Sequence, residues 1–258
     1  MPTDKFGELL PDSHAMNDLA QNRRLRAQFE AVASIDSTQT ALLARPISDL
    51  PHGHTLIAGH QTAGRGRLTR SWQDPEGQAL LMSSVVHIHE GDHHFEVLPL
   101  VTGLAVQRAL HTVLSGVRLK WPNDIVTHDG LKLGGLLSVA RENAILIGIG
   151  LNTSLTSEEL PTPVATSLEL LGHHVARENL IAEIVAQVHS AIADANWVES
   201  YNQASATLGK HVRLHRKDQP TIEGTVVEFA VDGSIRIATE LGDEAFSIGD
   251  IEHLRVSE

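Results

Sequence analysis

The chain has 258 residues, of which 41% are hydrophobic and 20% charged, and its formal net charge is -12. This length can bury a sizeable core in one large domain and a small one. The acidic balance argues against a protein that coats nucleic acid, because phosphate binding relies on Lys and Arg. The sequence contains no cysteine, which excludes disulfide bonds and thiolate metal sites. Neither a secretory signal nor a membrane-spanning apolar run is visible, so we expect a cytoplasmic protein without a membrane partner.

The first half of the chain alternates between predicted strands and helices. Residues 1–30 are polar and poorly periodic, and we expect a flexible or weakly helical extension there. The segment "ASIDSTQTALLARPI" predicts a short strand and then a helix capped at Asp36 and Ser37. Strands are predicted over "HTLIAGHQ" and "ALLMSSVVHI". A helix over "FEVLPLVTGLAVQRALHTVLSG" is expected to end at Gly116.

A β-hairpin is predicted over "VRLKWPNDIVTHDGLKLGGLLSVA", with its turn at "DG". If this turn has two residues, Thr127 lies opposite Lys132, and Asn123 shares their face of the hairpin. Asp124 then pairs with Gly135 on the other face. The hairpin therefore predicts that Lys132 and Asn123 lie on one surface.

The second half of the chain begins with a buried strand over "AILIGIGLN" and the longest helix over "RENLIAEIVAQVHSAIADAN". From about Leu208 onward the pattern changes to short alternating strands, which predicts a small β-barrel. We therefore expect an N-terminal extension over residues 1–30, a main domain over residues 31–208 and a C-terminal domain over residues 209–258.

A strongly cationic loop, "GHQTAGRGRLTRSW", follows the second predicted strand. Its glycines would let backbone N–H groups approach a phosphate while its arginines neutralise the charge. The loop matches neither the P-loop pattern nor the dinucleotide-binding pattern. A solvated basic surface loop explains its composition equally well.

Glycines also interrupt two predicted strands, at Gly134 and Gly135 beside Lys132 and at Gly148 and Gly150. Glycine is unfavourable inside a strand unless another backbone or a ligand comes close, so these positions favour a binding site. The alternatives are an exposed edge-strand lysine and a β-bulge.

Together, "DSTQ", "GHQTAGRGRLTRSW", "KWPND", "KLGGLL" and "GIGLN" resemble the motifs of biotin protein ligases in order and spacing. The resemblance covers about residues 31–258. It implies an α+β fold, with a mixed-sheet catalytic domain of the class II synthetase and biotin-lipoate ligase type. A small SH3-like barrel would follow, in agreement with the barrel read from the strand pattern.

The resemblance also implies an activity. Members of the family join biotin and ATP, with Mg²⁺, into biotinyl-5'-AMP and pass biotin to a lysine of a biotin carboxyl carrier domain. We expect no nucleic-acid partner and a monomer or weak homodimer. Some members carry an N-terminal DNA-binding domain, for which about 30 residues are too few, so we expect no repressor activity. The rival interpretations are a lipoate ligase or octanoyl transferase and a biotin sensor without catalysis; the latter would be expected to lack Lys132 or the arginines.

The resemblance assigns roles to individual residues. The catalytic residues would be Arg67 and Lys132. Biotin would be bound by Ser37, Thr38, Gln39, Gln61, Arg65, Gly66, Arg67, Lys132, Gly134, Gly135, Gly148 and Gly150. The nucleotide would be bound by Arg65, Arg67, Trp72, Asn123, Asp124, Lys132 and Asn152. Asp124 is also a candidate metal ligand. Thr69 stands where the family often has glycine, which would change the stiffness of the loop.

Overall fold

The fold is given by a computed structural model, which describes residues 10–67, 70–88, 97–247 and 249–254. The helices in these ranges are α1 (Ser13–Asn22), α2 (Thr38–Leu43), α3 (Leu98–Leu110), α4 (Arg177–Ile192) and α5 (Trp197–Ala204). The first seven strands are β1 (Gln28–Ile35), β2 (His54–Gln61), β3 (Ala79–His87), β4 (Arg118–Lys120), β5 (Asp124–Val126), β6 (Lys132–Arg141) and β7 (Ala144–Asn152). The last five are β8 (His211–His215), β9 (Ile222–Phe229), β10 (Ile235–Thr239), β11 (Gly242–Phe246) and β12 (Asp250–His253).

The first seven strands form one mixed sheet in the order β1-β2-β3-β7-β6-β5-β4. Strands β1 and β2 are parallel, and every other neighbouring pair is antiparallel. The central strands β3 and β7 are buried almost throughout, which explains their continuous apolar sequences. The predicted mixed-sheet α+β fold is confirmed.

The two faces of this sheet are covered differently. Helices α1, α3 and α4 pack on one face and build the main core with residues such as Leu104, Ile147 and Ile181. On the other face, a smaller cluster joins Leu42 of α2 to β2, β3 and β7. Helix α2 begins where predicted, with the Ser37 side chain accepting from the backbone N–H of Thr40. Because α2 is only 6 residues long, much of this second face is left for other groups.

The hairpin of β5 and β6 differs from its prediction. Asp124 does pair with Gly135, but Val126, not Thr127, lies opposite Lys132, after a register shift between Ile125 and Val126. The turn is longer than two residues, since the N–H of Thr127 bonds to the carbonyl of Leu131. A bulge reverses the alternation of side chains. It therefore places Lys132 on the face of Asp124, whereas the simple hairpin would have put it on the opposite face.

The N-terminal segment is packed more firmly than its composition predicts. Met16 and Ala20 of α1 are buried in the main core. The Asn17 side chain accepts from the N–H of Phe29 and donates to its carbonyl, so it bonds to the outer edge of β1. The expectation of a flexible or weakly helical extension is wrong for these residues, and residues 1–9 lie outside the described part. The apolar residues Ala15, Met16, Leu19 and Ala20 do recur at helical spacing, but the prediction relied on the polar composition of the segment.

Two further boundaries differ from their predictions. Helix α3 ends at Leu110 and continues as turns to Leu114, whereas the sequence predicts a helix up to Gly116. The opposite edge of the sheet, β4, is covered by the segment after α5: Ser205 pairs with Leu119, and the N–H of Ala206 donates to the carbonyl of Leu119. The short helix α5 itself has no counterpart in the prediction.

The last five strands form a second, antiparallel sheet in the order β11-β10-β9-β8-β12. Within the described ranges its end strands β11 and β12 are not paired with each other, so the predicted closed barrel is not confirmed. Tyr201 of α5 packs edge-on against Phe229 of β9, with ring centroids 4.9 Å apart. The core is therefore continuous between the two sheets. The domain boundary near residue 208 stays a prediction.

None of the helices in the described ranges is both long and apolar enough to cross a bilayer.

We expect Met16→Ala to lower the free energy of unfolding by about 2–4 kcal/mol, because it removes a fully buried core side chain. Urea denaturation measures this change. His14→Ala is the matched control in the same helix, since the His14 side chain is 88% exposed. If both variants are as stable as the wild type, α1 does not belong to the core.

Burial, reinforced by the charges of Lys120 and Lys210, lowers the pKa of His253 to about 4. The unfolded chain, with an ordinary pKa near 6.5, binds more protons between these two values, so the free energy of unfolding falls as the pH falls through this window. Denaturation at about pH 7 and about pH 5 should show a smaller loss in His253→Gln than in the wild type. The exposed His14→Gln should not change the slope, and an unchanged slope in His253→Gln would contradict the assignment.

Candidate active site

The floor of the candidate site is a row of four cross-strand partners on the main sheet, of which the middle two are glycines. Leu81 pairs with Gly150, Gly150 with Gly135, and Gly135 with Asp124. Cross-strand partners project to the same face of a sheet. The two adjacent glycines therefore leave a depression, bounded by the side chains of Leu81 and Asp124.

The indole of Trp72 lies in this depression. A Cβ atom on Gly150 would come within 2.8 Å of two ring carbons of Trp72, and one on Gly135 would lie 3.6 Å from a third. A side chain at position 150 and the Trp72 ring cannot occupy this space together. Glycine at this position of β7 is therefore required by the approach of Trp72.

A cleft lies over the floor and contains about 690 Å³ of empty space, part of it open to solvent. Its walls are the start of α2, residues 65–67 and 70–72, and the first residues of β5 and β6. Polar, charged and apolar side chains all line it.

The cationic loop forms an arm that folds back on itself beside the cleft. The N–H of Trp72 donates to the carbonyl of Gly64 at 2.9 Å, and the N–H of Gly66 donates to that of Arg70 at 2.8 Å. Gly64 allows this approach, because its Cβ would lie 2.6 Å from the carbonyl oxygen of Trp72. The arm, residues 64–67 and 70–72, thus holds its arginines at the cleft. Thr69 lies outside the described residues.

The opposite end of the cleft is polar but carries no formal charge. Thr38 donates to Gln61 Oε1 from its N–H at 2.7 Å and from its hydroxyl at 3.0 Å, and its hydroxyl lies 2.8 Å from that of Ser83. Gln39 donates to the carbonyl of Leu146 at 2.9 Å. Its Oε1 is buried and accepts no hydrogen bond from any described atom. A buried acceptor without a donor indicates where a ligand N–H would bind.

Positive charge is concentrated at the other end. Arg65, Arg67, Arg70 and Lys132 all line the cleft. Lys132 Nζ donates to Asp124 Oδ1 at 2.5 Å. Burial lowers the pKa of Arg67, an effect that the Asp250 carboxylate opposes and the Arg70 charge reinforces. Among the described residues that line the cleft, these four cations face one carboxylate, Asp124, and Asp250 contacts Arg67 and Arg70 from outside the lining. The surplus of positive charge favours an anionic ligand at this end.

Comparisons with known proteins identify the family. A model of the biotin/lipoate A/B protein ligase family matches residues 31–153. The biotin--[acetyl-CoA-carboxylase] ligase of Mycobacterium tuberculosis is 32% identical over 242 residues, which cover 88% of this chain and 90% of that protein. The chain belongs to the biotin protein ligase family. It is therefore a biotin ligase.

Two further relatives of this ligase are informative. The biotin protein ligase from Aquifex aeolicus, in complex with biotin and ATP, is 26% identical with a TM-score of 0.73, covering 90% of this chain and 100% of that chain. The bifunctional ligase/repressor BirA of Escherichia coli is 32% identical over 165 residues, which cover 61% of this chain and 51% of that protein. The structural similarity to the Aquifex aeolicus ligase thus extends over nearly the whole chain. The sequence match to BirA covers only about half of the BirA protein.

The cleft brings together most of the site residues predicted from the sequence. Those that line it are Ser37, Thr38, Gln39, Gln61, Arg65, Gly66, Arg67, Trp72, Asn123, Asp124, Lys132, Gly135, Gly148 and Gly150. Gly134 and Asn152 are not among its lining residues. A Cβ on Gly134 would lie 2.5 Å from the carbonyl oxygen of Gly150, so glycine is needed for strand packing there. The Asn152 amide donates to the carbonyl of Thr166 at 2.9 Å.

Several residues of the cleft were missed by the sequence analysis. They are Arg70, Ser71, Leu81, Met82, Ser83, Leu136, Leu137 and Ile149. A serine inside the apolar run of β3 was a usable signal for Ser83. The backbone hydrogen bonds of the arm, which bring Arg70 to the cleft, have no sequence signature.

The described residues contain no group of three or more His, Asp or Glu side chains that could hold a metal ion.

We expect Gly150→Ala to displace Trp72, because the new methyl group would overlap its ring. The free energy of unfolding should fall by about 1–3 kcal/mol, and the tryptophan emission spectrum should shift. Gly103→Ala in α3 is the matched control, since its Cβ would meet no atom closer than 3.5 Å. Identical spectra for Gly150→Ala and the wild type would show that Trp72 does not lie on this floor.

Proposed function

We propose that this ligase joins biotin and ATP into biotinyl-5'-AMP and then transfers biotin to one lysine of a biotin carboxyl carrier domain. The observation that carries the proposal is the division of one cleft into an uncharged hydrogen-bonding end and a cationic end. Biotin has the same division, with an uncharged ureido ring at one end and a carboxylate at the other. The Mycobacterium tuberculosis relative, named for acetyl-CoA carboxylase, and the Aquifex aeolicus complex with biotin and ATP support it.

The uncharged end fits the ureido ring. That ring offers two N–H donors and one carbonyl acceptor, and the unpartnered Gln39 Oε1 requires a donor. The hydroxyls of Ser37 and Thr38 and the amide of Gln61 supply further groups at the same wall. A Cβ on Gly148 would lie 3.1 Å from Gln39 Oε1 and would crowd the acceptor. Glycine at this position therefore leaves space beside Gln39 for the fused rings of biotin.

The cationic end fits the meeting of a carboxylate with a phosphate. Two unit charges 4 Å apart repel by about 1 kcal/mol in water and by about 4 kcal/mol at the dielectric typical near a protein surface. Excluding water from the cleft therefore makes cations necessary. Arg65, Arg67 and Lys132 are positioned to offset the repulsion and to stabilise the charge that develops at phosphorus.

Two displacements complete the proposed reaction. An oxygen of the biotin carboxylate attacks the α-phosphorus of ATP, the bond to the β-phosphate oxygen breaks, and pyrophosphate leaves. The amine of the acceptor lysine then attacks the acyl carbon, AMP leaves with the bridging oxygen, and the amine loses a proton. Closure of the cleft by the arm would keep water from hydrolysing the adenylate.

The nucleotide would lie beside Trp72, Asn123 and Asp124 at the cleft. Asn152 does not line the cleft and donates to the carbonyls of Thr166 and Lys132, so it would act on the nucleotide only through the backbone. Mg²⁺ would enter with the triphosphate and neutralise part of its charge. The Lys132 ammonium already contacts Asp124, so a metal ligand role for that carboxylate requires the pair to separate. A cytoplasmic location, a monomeric or weakly dimeric state and the absence of repressor activity stay predictions; a mobility-shift assay with a biotin-operon operator tests the last.

Pyrophosphate exchange tests the first step. With ATP and Mg²⁺, labelled pyrophosphate should enter ATP when biotin is present and not when lipoate or octanoate replaces it. A purified carrier domain should then gain the mass of one biotinyl group. Exchange supported by lipoate or octanoate would favour the lipoate ligase interpretation, and no exchange with any acid would refute the ligase chemistry.

We expect Lys132→Ala to lower the rate of adenylate formation by about 10²–10³-fold, the effect of losing one preorganised donor to a developing charge. Lys217→Ala, at an exposed turn, is the control and should retain full exchange activity. Thermal denaturation shows whether the variant is folded. A folded Lys132→Ala protein with near-normal exchange would remove Lys132 from the mechanism.

A further inference from the structure

One carboxylate of the second sheet reaches the arm of the cleft. Asp250, the first residue of β12, accepts from Arg67 Nη1 at 3.0 Å through Oδ1 and from Arg70 Nη2 through Oδ2. The carbonyl of Gly249 also accepts from Arg67 Nη1, at 3.2 Å. The second sheet therefore contacts two cations of the proposed anion site, which lie about 180 residues before Asp250 in the chain.

A carboxylate at this place offsets two unfavourable effects. Arg67 is substantially buried, and the neighbouring positive charge of Arg70 repels it. The side chains of Asp250 and Arg67 are only 19% and 22% exposed, so solvent screens their attraction less than that of a surface pair. Without Asp250, the two guanidinium groups would have no described carboxylate partner to hold them together.

The geometry leaves both arginines available for a ligand. A guanidinium has five N–H donors in a planar fork. In their bonds with Asp250, Arg67 uses only Nη1 and Arg70 only Nη2. Both side chains line the cleft as well, so Asp250 holds one edge of each guanidinium while other donors remain for an anion.

We propose that Asp250 is a positioning residue that holds Arg67 and Arg70 over the cleft before the anionic substrates bind. The arm is then ordered in the free enzyme, and ATP does not bear the full cost of ordering it. This inference rests on the proposed function for the identity of the anion. It gives Arg70 a role beside Arg67 and gives the second sheet a part in substrate binding.

Steady-state pyrophosphate exchange tests the proposal with Asp250→Asn, which keeps the size of the side chain and removes its charge. The KM for ATP should rise by about tenfold, the effect of weakening charge-assisted hydrogen bonds that are partly exposed. The kcat should change by less than about twofold, because saturating ATP supplies the missing negative charge. Loss of folded protein would instead lower kcat and leave the KM unchanged.

Two other variants sharpen this test. Asp250→Glu restores the carboxylate and should return the KM for ATP most of the way to the wild-type value. Glu252 lies on the same strand but pairs with Arg213 and His215, so Glu252→Gln removes a charge that does not contact the arm. The KM for ATP of this variant should not change. A KM that is unchanged or lower in Asp250→Asn overturns the role in ATP binding.

Trypsin cleavage without substrates is a readout that does not depend on the proposed function. Cleavage after Arg67 and Arg70, followed by mass spectrometry, should be several times faster in Asp250→Asn than in the wild type and the Glu252→Gln variant. Equal cleavage rates would overturn the positioning role whatever the kinetics show. Failure of the wild type to exchange pyrophosphate would refute the proposed function and leave the cleavage result to decide on the arm.

Discussion

The cleft depends on one local constraint, the absence of side chains where β6 and β7 meet. Gly135 and Gly150 are direct partners, and the Trp72 ring lies on them at a distance that a methyl group would occupy. Trp72 is the last residue of the arm. The contact of its ring with the floor therefore also fixes the position of the arm relative to the sheet. The depth of the cleft and the position of the arginines therefore share one structural cause.

Charge distribution explains how an acidic protein can maintain a cationic site. The formal net charge of the chain is -12, yet four cations converge on one cleft. Each end of this cluster has a carboxylate from a different part of the fold: Asp124 contacts Lys132, and Asp250 contacts Arg67 and Arg70. These carboxylates make the cluster stable without substrates, and they remain weaker competitors than a triphosphate with several charges.

Strand periodicity, the Ser37 cap and the glycine-interrupted strands are local signals, and they predicted most of the elements around the cleft. The mixed sheet and the roles of the cleft residues were implied instead by the resemblance of the motifs to biotin protein ligases. The bulge between Lys132 and Gly134 could not be predicted, since one extra residue reverses the side-chain alternation without altering composition. Helix α1 was underestimated because Met16 and Ala20 gain their burial from α4 and the sheet. The contact of Asp250 with the arm joins distant segments and leaves no local pattern.

Both edges of the main sheet are already engaged. Asn17 bonds to the N–H and carbonyl of Phe29 on β1, and the segment after α5 pairs with Leu119 on β4. An edge whose polar groups are used in this way is a poor template for another strand. At Phe29 and Leu119, a further strand could therefore pair with the main sheet only if α1 or the segment after α5 moved away.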